Sequence, residues 1–146
     1  MTTNRFWQLD AHPKGHDFAA ALSLREEPLA PLAEGEVRIA SQYLSMDAGT
    51  RMWMSPRTDG YQPPLPLGAK MVGLVLGHVC ESRDPAFPAG ALVRGFGQWA
   101  SHAVVVPALA GLEIVDESVA DIRQHFGALG MNAWTAYVGV KEVAAV

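Results

Sequence analysis

The chain holds one cysteine, Cys80, among its 146 residues. A lone thiol excludes an internal disulfide and a multi-cysteine zinc lobe, and it fits a reducing, cytoplasmic setting. Long apolar runs are also missing. The stretch Met71–Val79 is too short to span a bilayer and is broken by Gly73 and Gly77. The opening residues, MTTNRFWQLDAH, lack the apolar core of a secretory signal. Basic clusters are absent and the net charge is −4, which argues against nucleic acid as a partner. No Ser, Cys or Thr stands in a G-x-S-x-G elbow. Metal ligands are scattered. His12 and His16 have i, i+4 spacing, but Pro13 and Gly15 between them oppose a helix, and no acidic or cysteine cluster accompanies His78, His102 or His125. No metal is expected.

What is present suits one folded domain. Hydrophobic residues make up 49% of the chain and charged residues 18%, enough apolar matter for a sizeable core. Gly and Pro punctuate the first 116 residues. Arg5–Leu9 and Phe18–Arg25 read as strands joined by a turn at His12–Gly15. Val37–Ser41 alternates apolar and polar, as a half-buried strand does. Tyr43–Met54 is less regular, and Ser55–Pro66, with four prolines, is a loop. Leu67–Glu81 reads as one or two buried strands; Ala91–Gly95 and Trp99–Val106 read as two more. Strands at this spacing predict a barrel or sandwich. After residue 116 the pattern turns helical. Ser118 and Asp121 predict a capping box for a helix through about Phe126, and Asn132 a cap for a second helix through Lys141.

Several short motifs invite chemistry. Gly95-Phe96-Gly97-Gln98-Trp99-Ala100 fits G-x-G-x-x-A, but a dinucleotide cradle needs a helix after the glycines, and Trp99–Val106 is strand-like. The glycines are therefore expected to form a hairpin turn with positive φ. His78 and Cys80 share a strand face and are expected to be a buried pair, the thiol inert. Tyr61, beside Pro63 and Pro64, sits on a rigid loop. It can present a phenol to a carbonyl, or simply pack on the proline rings. Asp47 and Arg51, four apart, are expected to form a structural ion pair.

Taken in order, several segments resemble the medium-chain dehydrogenase/reductase superfamily, in its zinc-independent leukotriene B4 dehydrogenase, prostaglandin reductase and curcumin reductase branch. The carrying residues are Tyr43-Leu44-Ser45-Met46-Asp47 with Arg51, Tyr61-Gln62-Pro63-Pro64, and Gly73–Glu81. They continue in Phe87–Val93, Gly97–His102, and Gly127-Ala128-Leu129-Gly130-Met131 with Thr135-Ala136-Tyr137. The resemblance implies a mainly β, GroES-like, partly open β-barrel over residues 1–116. It makes 117–146 a helical linker toward a Rossmann domain not contained in this chain. It implies reduction of the C=C bond of α,β-unsaturated carbonyl compounds, or of quinones, with hydride from NADPH held mainly by that other domain. The 146 residues alone would then be inactive, and the full-length protein a homodimer. Tyr61 matches the branch's loop tyrosine and is the catalytic candidate. Asp47 and Arg51 match the pocket floor, while Met131 and Thr135 match cofactor-proximal positions on the interdomain helix. Two departures bear on the pocket: Asp47-Ala48-Gly49-Thr50-Arg51 replaces a common Asp-Pro-Tyr-Met-Arg, and Trp134 adds bulk where Leu is common. A different class remains open, a stand-alone GroES-like binding or assembly module. Such a module should cover Trp134, Tyr137, Val138 and Val143, which a domain awaiting a second one leaves bare.

Overall fold

The computed structural model describes residues 3–57, 59–60 and 63–144. Among the described residues, seven strands form two open sheets. Strands β1 (Thr3–Leu9) and β2 (Leu22–Pro28) pair antiparallel as a ribbon. The larger sheet comprises β3 (Val37–Leu44), β4 (Val72–Ser82), β5 (Leu92–Gln98), β6 (His102–Val105) and β7 (Glu113–Ile114), in the order β6-β3-β4-β5-β7. The ribbon is stitched to the larger sheet through main-chain bonds: Trp7 N–H donates to Trp99 O (2.9 Å), Ser101 N–H to Arg5 O (2.7 Å) and Met71 N–H to Trp7 O (2.8 Å). The result is the mainly β, partly open architecture expected from the sequence.

Two apolar clusters hold it together. Val37, Ile39, Val75, Val79, Val93, Ala103, Val105 and Leu112 fill the inside of the large sheet. Leu9, Met54, Met71 and Trp99 lock the ribbon against it. Each of these β-branched or large side chains removes enough surface from water to contribute about 1.5–3 kcal/mol.

Helices are short. Helix α1 spans Thr50–Trp53, α2 Pro107–Ala110 and α3 Met131–Val138. A 3₁₀ turn occupies Ile122–Phe126, and a π-helical turn, Gly139–Val143, extends α3. Proline opens α2, where its missing N–H costs nothing, and Gly111 closes it in the left-handed conformation, φ 54°.

Several expected elements are revised. The second strand starts at Leu22 rather than Phe18, because the Phe18 carbonyl accepts from Ala21 and Leu22 and closes a turn there. In β3 the alternation fails at Arg38, which is buried along with Val37 and Ile39. Its guanidinium is drawn in by Glu81 and by the Ala30 carbonyl of the loop packed over it. Gly95-Phe96-Gly97 is not a turn. It lies inside β5, opposite Val75, Leu74 and Gly73, and neither glycine has positive φ. Glycine is required there by packing: a Cβ on Gly95 would stand 2.8 Å from Leu112 Cδ1, and one on Gly97 3.0 Å from Val75 Cγ2. Ser118 caps nothing. Its N–H and hydroxyl both donate to Asp116 (2.8 and 2.7 Å), and the 3₁₀ turn is capped by Asp121, which accepts from Arg123 N–H at 2.9 Å. Gly130, not Asn132, precedes α3, and no side chain caps that helix.

Candidate functional site

A cavity of about 780 Å³ opens between the β1–β2 ribbon and α1. Its walls are apolar: Trp7, Phe18, Leu22, Met54 and Trp99 line it. Trp99 and Met54 also belong to the second core cluster, so one face of the cavity is the outside of a packed core. Asp47, Thr50 and Arg51 supply the polar edge.

Helix α1 sets that edge. The segment turns because Thr50, Arg51 and Met52 N–H groups donate to the carbonyls of Asp47, Ala48 and Gly49 at 3.0–3.2 Å. The Asp47 carboxylate accepts from Ser45 Oγ at 3.0 Å. Among the described residues the expected Asp47–Arg51 ion pair does not form. Asp47 precedes Gly49, the residue before the helix, so i, i+4 spacing within one helix does not apply. Arg51 instead donates from Nη2 to Pro13 O (3.2 Å) and lies 5.2 Å from the centre of the Phe18 ring. A cation over an exposed aromatic face contributes about 0.5–1 kcal/mol. Arg51 thereby ties α1 to the loop that carries Phe18 and closes one side of the cavity. Thr50 Oγ1 and Trp99 Nε1, on two residues that line the cavity, are covered and have no hydrogen-bond partner among the described residues.

Tyr61 lies outside the described residues. Met131 and Thr135 sit on α3, apart from the cavity's lining. Both are exposed, and Thr135 Oγ1 donates to Met131 O at 2.9 Å, which leaves the hydroxyl's lone pairs to accept. The same helix bares Trp134 (68% exposed), Tyr137 (56%), Val138 (43%) and, in the turn beyond it, Val143 (79%). Asp47 and Arg51 are thus brought together at one cavity, while Met131 and Thr135 share a second, separate surface. Between the sheet and α3, hydrogen bonds from Ser118 hold the Asp116 carboxyl below its usual range, and hydrogen bonds from Arg123 do the same to Asp121.

The resemblance implies NADPH, and the described residues fit one end of it. The glycines of β5 are filled by Leu112 and Val75 and offer no cradle for phosphate. The α3 surface, apolar with a hydroxyl acceptor, suits a nicotinamide edge. For metals, no group of three His, Cys, Asp or Glu among the described residues is placed to hold an ion. His78 Nε2 lies 2.8 Å from Glu117 Oε1. Cys80 is exposed rather than buried in the strand, with Sγ 3.4 Å from Arg38 O; partial desolvation pushes its thiol up, away from the reactive thiolate. No described helix is long and apolar enough to cross a membrane.

The cavity walls were not legible in advance. Trp7 and Phe18 sit in a strand and a loop with nothing beyond their aromatic character to mark them. Trp99 stands in a glycine motif, at the start of a predicted strand and in one segment of the resemblance, none of which marks it as a cavity wall. Arg94 is marked in the sequence only as a charge set between Val93 and Gly95 in an apolar strand.

Residues 5–115 match the family described as the N-terminal domain of oxidoreductase. The chain is 32% identical to the NADPH-dependent curcumin reductase of Escherichia coli (strain K12) over 144 residues, covering 96% of this chain and 40% of that protein. It is 32% identical to prostaglandin reductase 1 of Oryctolagus cuniculus over 144 residues, 98% of this chain and 39% of that one. The crystal structure of CurA from Vibrio vulnificus in complex with NADPH superposes with a TM-score of 0.84 at 26% identity, over 97% of this chain and 41% of that chain. The chain therefore spans about two fifths of the length of these relatives.

Proposed function

This chain belongs to the family of N-terminal oxidoreductase domains, in the curcumin and prostaglandin reductase branch of the medium-chain dehydrogenase/reductase superfamily, and on that premise we propose that it is the substrate-holding part of an NADPH-dependent enone or enal reductase. The observation that carries the reading is the apolar cavity with one polar edge. A conjugated carbonyl compound is a mostly apolar body with a single strong acceptor. Trp7, Phe18, Leu22 and Trp99 offer surface to the body, and the α1 edge offers the polar end. NADPH, when bound, supplies hydride to the carbon β to the carbonyl.

The protein's part is placement and charge stabilisation. Negative charge grows on the carbonyl oxygen as hydride arrives, so a donor aimed at that oxygen lowers the barrier more than it tightens binding. Tyr61, on the proline-rich loop near α1 in sequence, is the proposed donor. Asp47 and Arg51 shape the pocket edge, Arg51 through its hold on the Phe18 loop. Met131 and Thr135 are proposed to meet the nicotinamide from α3. Residues 1–116 act as the substrate domain, and 117–146 lead to a nucleotide-binding domain supplied outside this chain. The bare apolar face of α3 supports that arrangement over a self-contained binding module, which would cover Trp134 and Val143.

The test is NADPH oxidation by the full-length protein against a panel of enones, enals and quinones, with wild type and Tyr61→Phe. Enone-dependent oxidation that falls about a hundredfold in kcat for Tyr61→Phe, as loss of one oxyanion donor does, supports the reading. Quinone turnover without enone turnover shifts the substrate class. No NADPH-dependent reduction of either removes the reading.

A further inference from the structure

Helix α3 buries none of its residues. A helix without a packed face is not aimed by packing, so its direction must be fixed at its root. The root is the segment from His125 to Gly130, and the group that holds it to the sheet is Arg94 of β5.

The Arg94 side chain is only 15% exposed. Nε donates to Glu113 Oε1 at 2.9 Å, and Nη2 donates to the same carboxylate. Nη1 turns the other way and donates to two main-chain carbonyls, His125 O and Leu129 O, the latter at 3.2 Å. These carbonyls flank the loop between the 3₁₀ turn and α3. Glycine at 130 makes the close approach possible: a Cβ there would stand 2.6 Å from His125 O, 3.1 Å from Phe126 C and 3.3 Å from Arg94 Nη1. The His125 ring is buried beside the same junction, its Nε2 2.8 Å from Asp116 O. One planar guanidinium thus spans a carboxylate on β7 and two carbonyls at the helix root. A lysine ammonium, a point charge without the fork, cannot hold all three in that geometry.

We propose that Arg94 is the positioning residue of the cofactor side: by fastening residues 125–130 to β5 it sets where α3 presents Met131 and Thr135. The functional half of this inference rests on the reading above, in which those residues meet the nicotinamide; the fastening itself does not. Hydride transfer is sensitive to placement, and a misplacement of about 1 Å costs up to about a hundredfold in rate. Loss of Arg94 is therefore expected to impair the chemical step while leaving dinucleotide affinity, which resides mostly in the other domain, nearly intact.

The experiment uses the full-length protein as wild type, Arg94→Met and Arg94→Lys, with two readouts. Hydrogen exchange without cofactor follows amides 125–138 against the β3–β4 core. Steady-state kinetics follow kcat, NADPH affinity, and the primary isotope effect with NADPH deuterated at the transferred position. The expected result for Arg94→Met is faster exchange confined to 125–138, a kcat lower by about tenfold or more, a larger isotope effect and barely changed NADPH affinity, with Arg94→Lys in between. A role in stability alone lowers the active fraction without changing the isotope effect, so an unchanged isotope effect overturns the proposal. So does unaltered exchange over 125–138. Should Arg94→Met fail to fold, Arg94→Lys carries the same comparison. If the wild type reduces no enone or quinone, the functional reading fails, and the exchange data alone support or overturn the fastening.

Discussion

Alanine at three glycines of the large sheet should destabilise the domain in the order Gly77, Gly95, Gly97, because the three would strike different kinds of atom. A Cβ on Gly77 would lie 2.1 Å from Ala40 O and 3.1 Å from Ser41 Cα, both main chain of the neighbouring central strand. Relief requires β3 and β4 to part at the point where their register already shifts. Overpacking against backbone that cannot yield stands at the upper end of its range, about 3 kcal/mol or more. At Gly95 the nearest atom is the mobile tip of Leu112, at 2.8 Å, but Leu112 Cα at 3.0 Å and Ala110 O at 3.2 Å stand behind it. The cost there is about 2 kcal/mol. Gly97 meets only side chains, Val75 Cγ2 at 3.0 Å and Ala103 Cβ at 3.3 Å. About 1 kcal/mol of crowding is partly offset by the roughly 0.4–1 kcal/mol gained when alanine restricts the unfolded chain. Urea unfolding at constant m-value reads these differences as midpoint shifts. Pairing Gly97→Ala with Val75→Ala removes the opposing methyl, so the double variant should recover about 0.5–1 kcal/mol relative to additivity. If instead Gly95→Ala and Gly97→Ala each cost about 1 kcal/mol with no coupling to Val75, the packing account is wrong.

Glu81→Gln leaves the Arg38 side chain, 7% exposed, against a neutral acceptor; since Glu81 is itself half in water, the loss is about 1–2 kcal/mol by denaturant titration. Desolvation raises the Glu27 carboxyl, but hydrogen bonds from Lys70 and Asn4 and the Lys70 charge outweigh it, so its folded value falls below 4.5. A depressed carboxylate stabilises above its unfolded value and loses that contribution as pH falls through the folded one, so the stability gap between wild type and Glu27→Gln should close as pH drops below 4.5. Phe18→Ala removes a cavity wall and the ring under Arg51, and should raise KM for apolar enones more than it lowers kcat, the pattern of lost uniform binding in steady-state kinetics.

The sheet was largely legible in the sequence because its strands are bounded by Gly and Pro and filled with β-branched residues: β1, β3 and β4 overlap the segments read as strands at Arg5–Leu9, Val37–Ser41 and Leu67–Glu81. The misses share a cause. Gly95 and Gly97 carry no side chain to show whether glycine is wanted for φ or for space, and only the positions of Leu112 and Val75 decide it. Arg38 reads as a solvent residue until the loop at Ala30 folds over it. Asp47 and Arg51 have helical spacing, but the helix begins after Asp47, a boundary that one turn of sequence does not mark. Of the candidate site, the motif order pointed to Asp47 and Arg51, which line the cavity, and to Met131 and Thr135, which lie on α3. The cavity walls came from three separated segments, at Trp7, Phe18 and Trp99, whose meeting depends on main-chain bonds between the ribbon and the sheet.

The two surfaces of the candidate site are built by different physics, and that difference governs how each tolerates change. The cavity is a by-product of folding: Trp99 and Met54 are at once core and wall, so the domain cannot lose them without losing stability, and the cavity's shape is fixed before any ligand arrives. The α3 surface has no such coupling. Its side chains are exposed, none is buried, and its pose is inherited from a few hydrogen bonds at Arg94 and from the space left by Gly130. Substitutions on α3 are accordingly close to neutral for folding, since exposed positions away from caps and cores usually fall within about 0.5 kcal/mol, yet each alters the face the helix presents. Trp134 is the instance already in the sequence: a bulky aromatic at 68% exposure, in T-shaped contact with Tyr137, that adds little to this domain's stability.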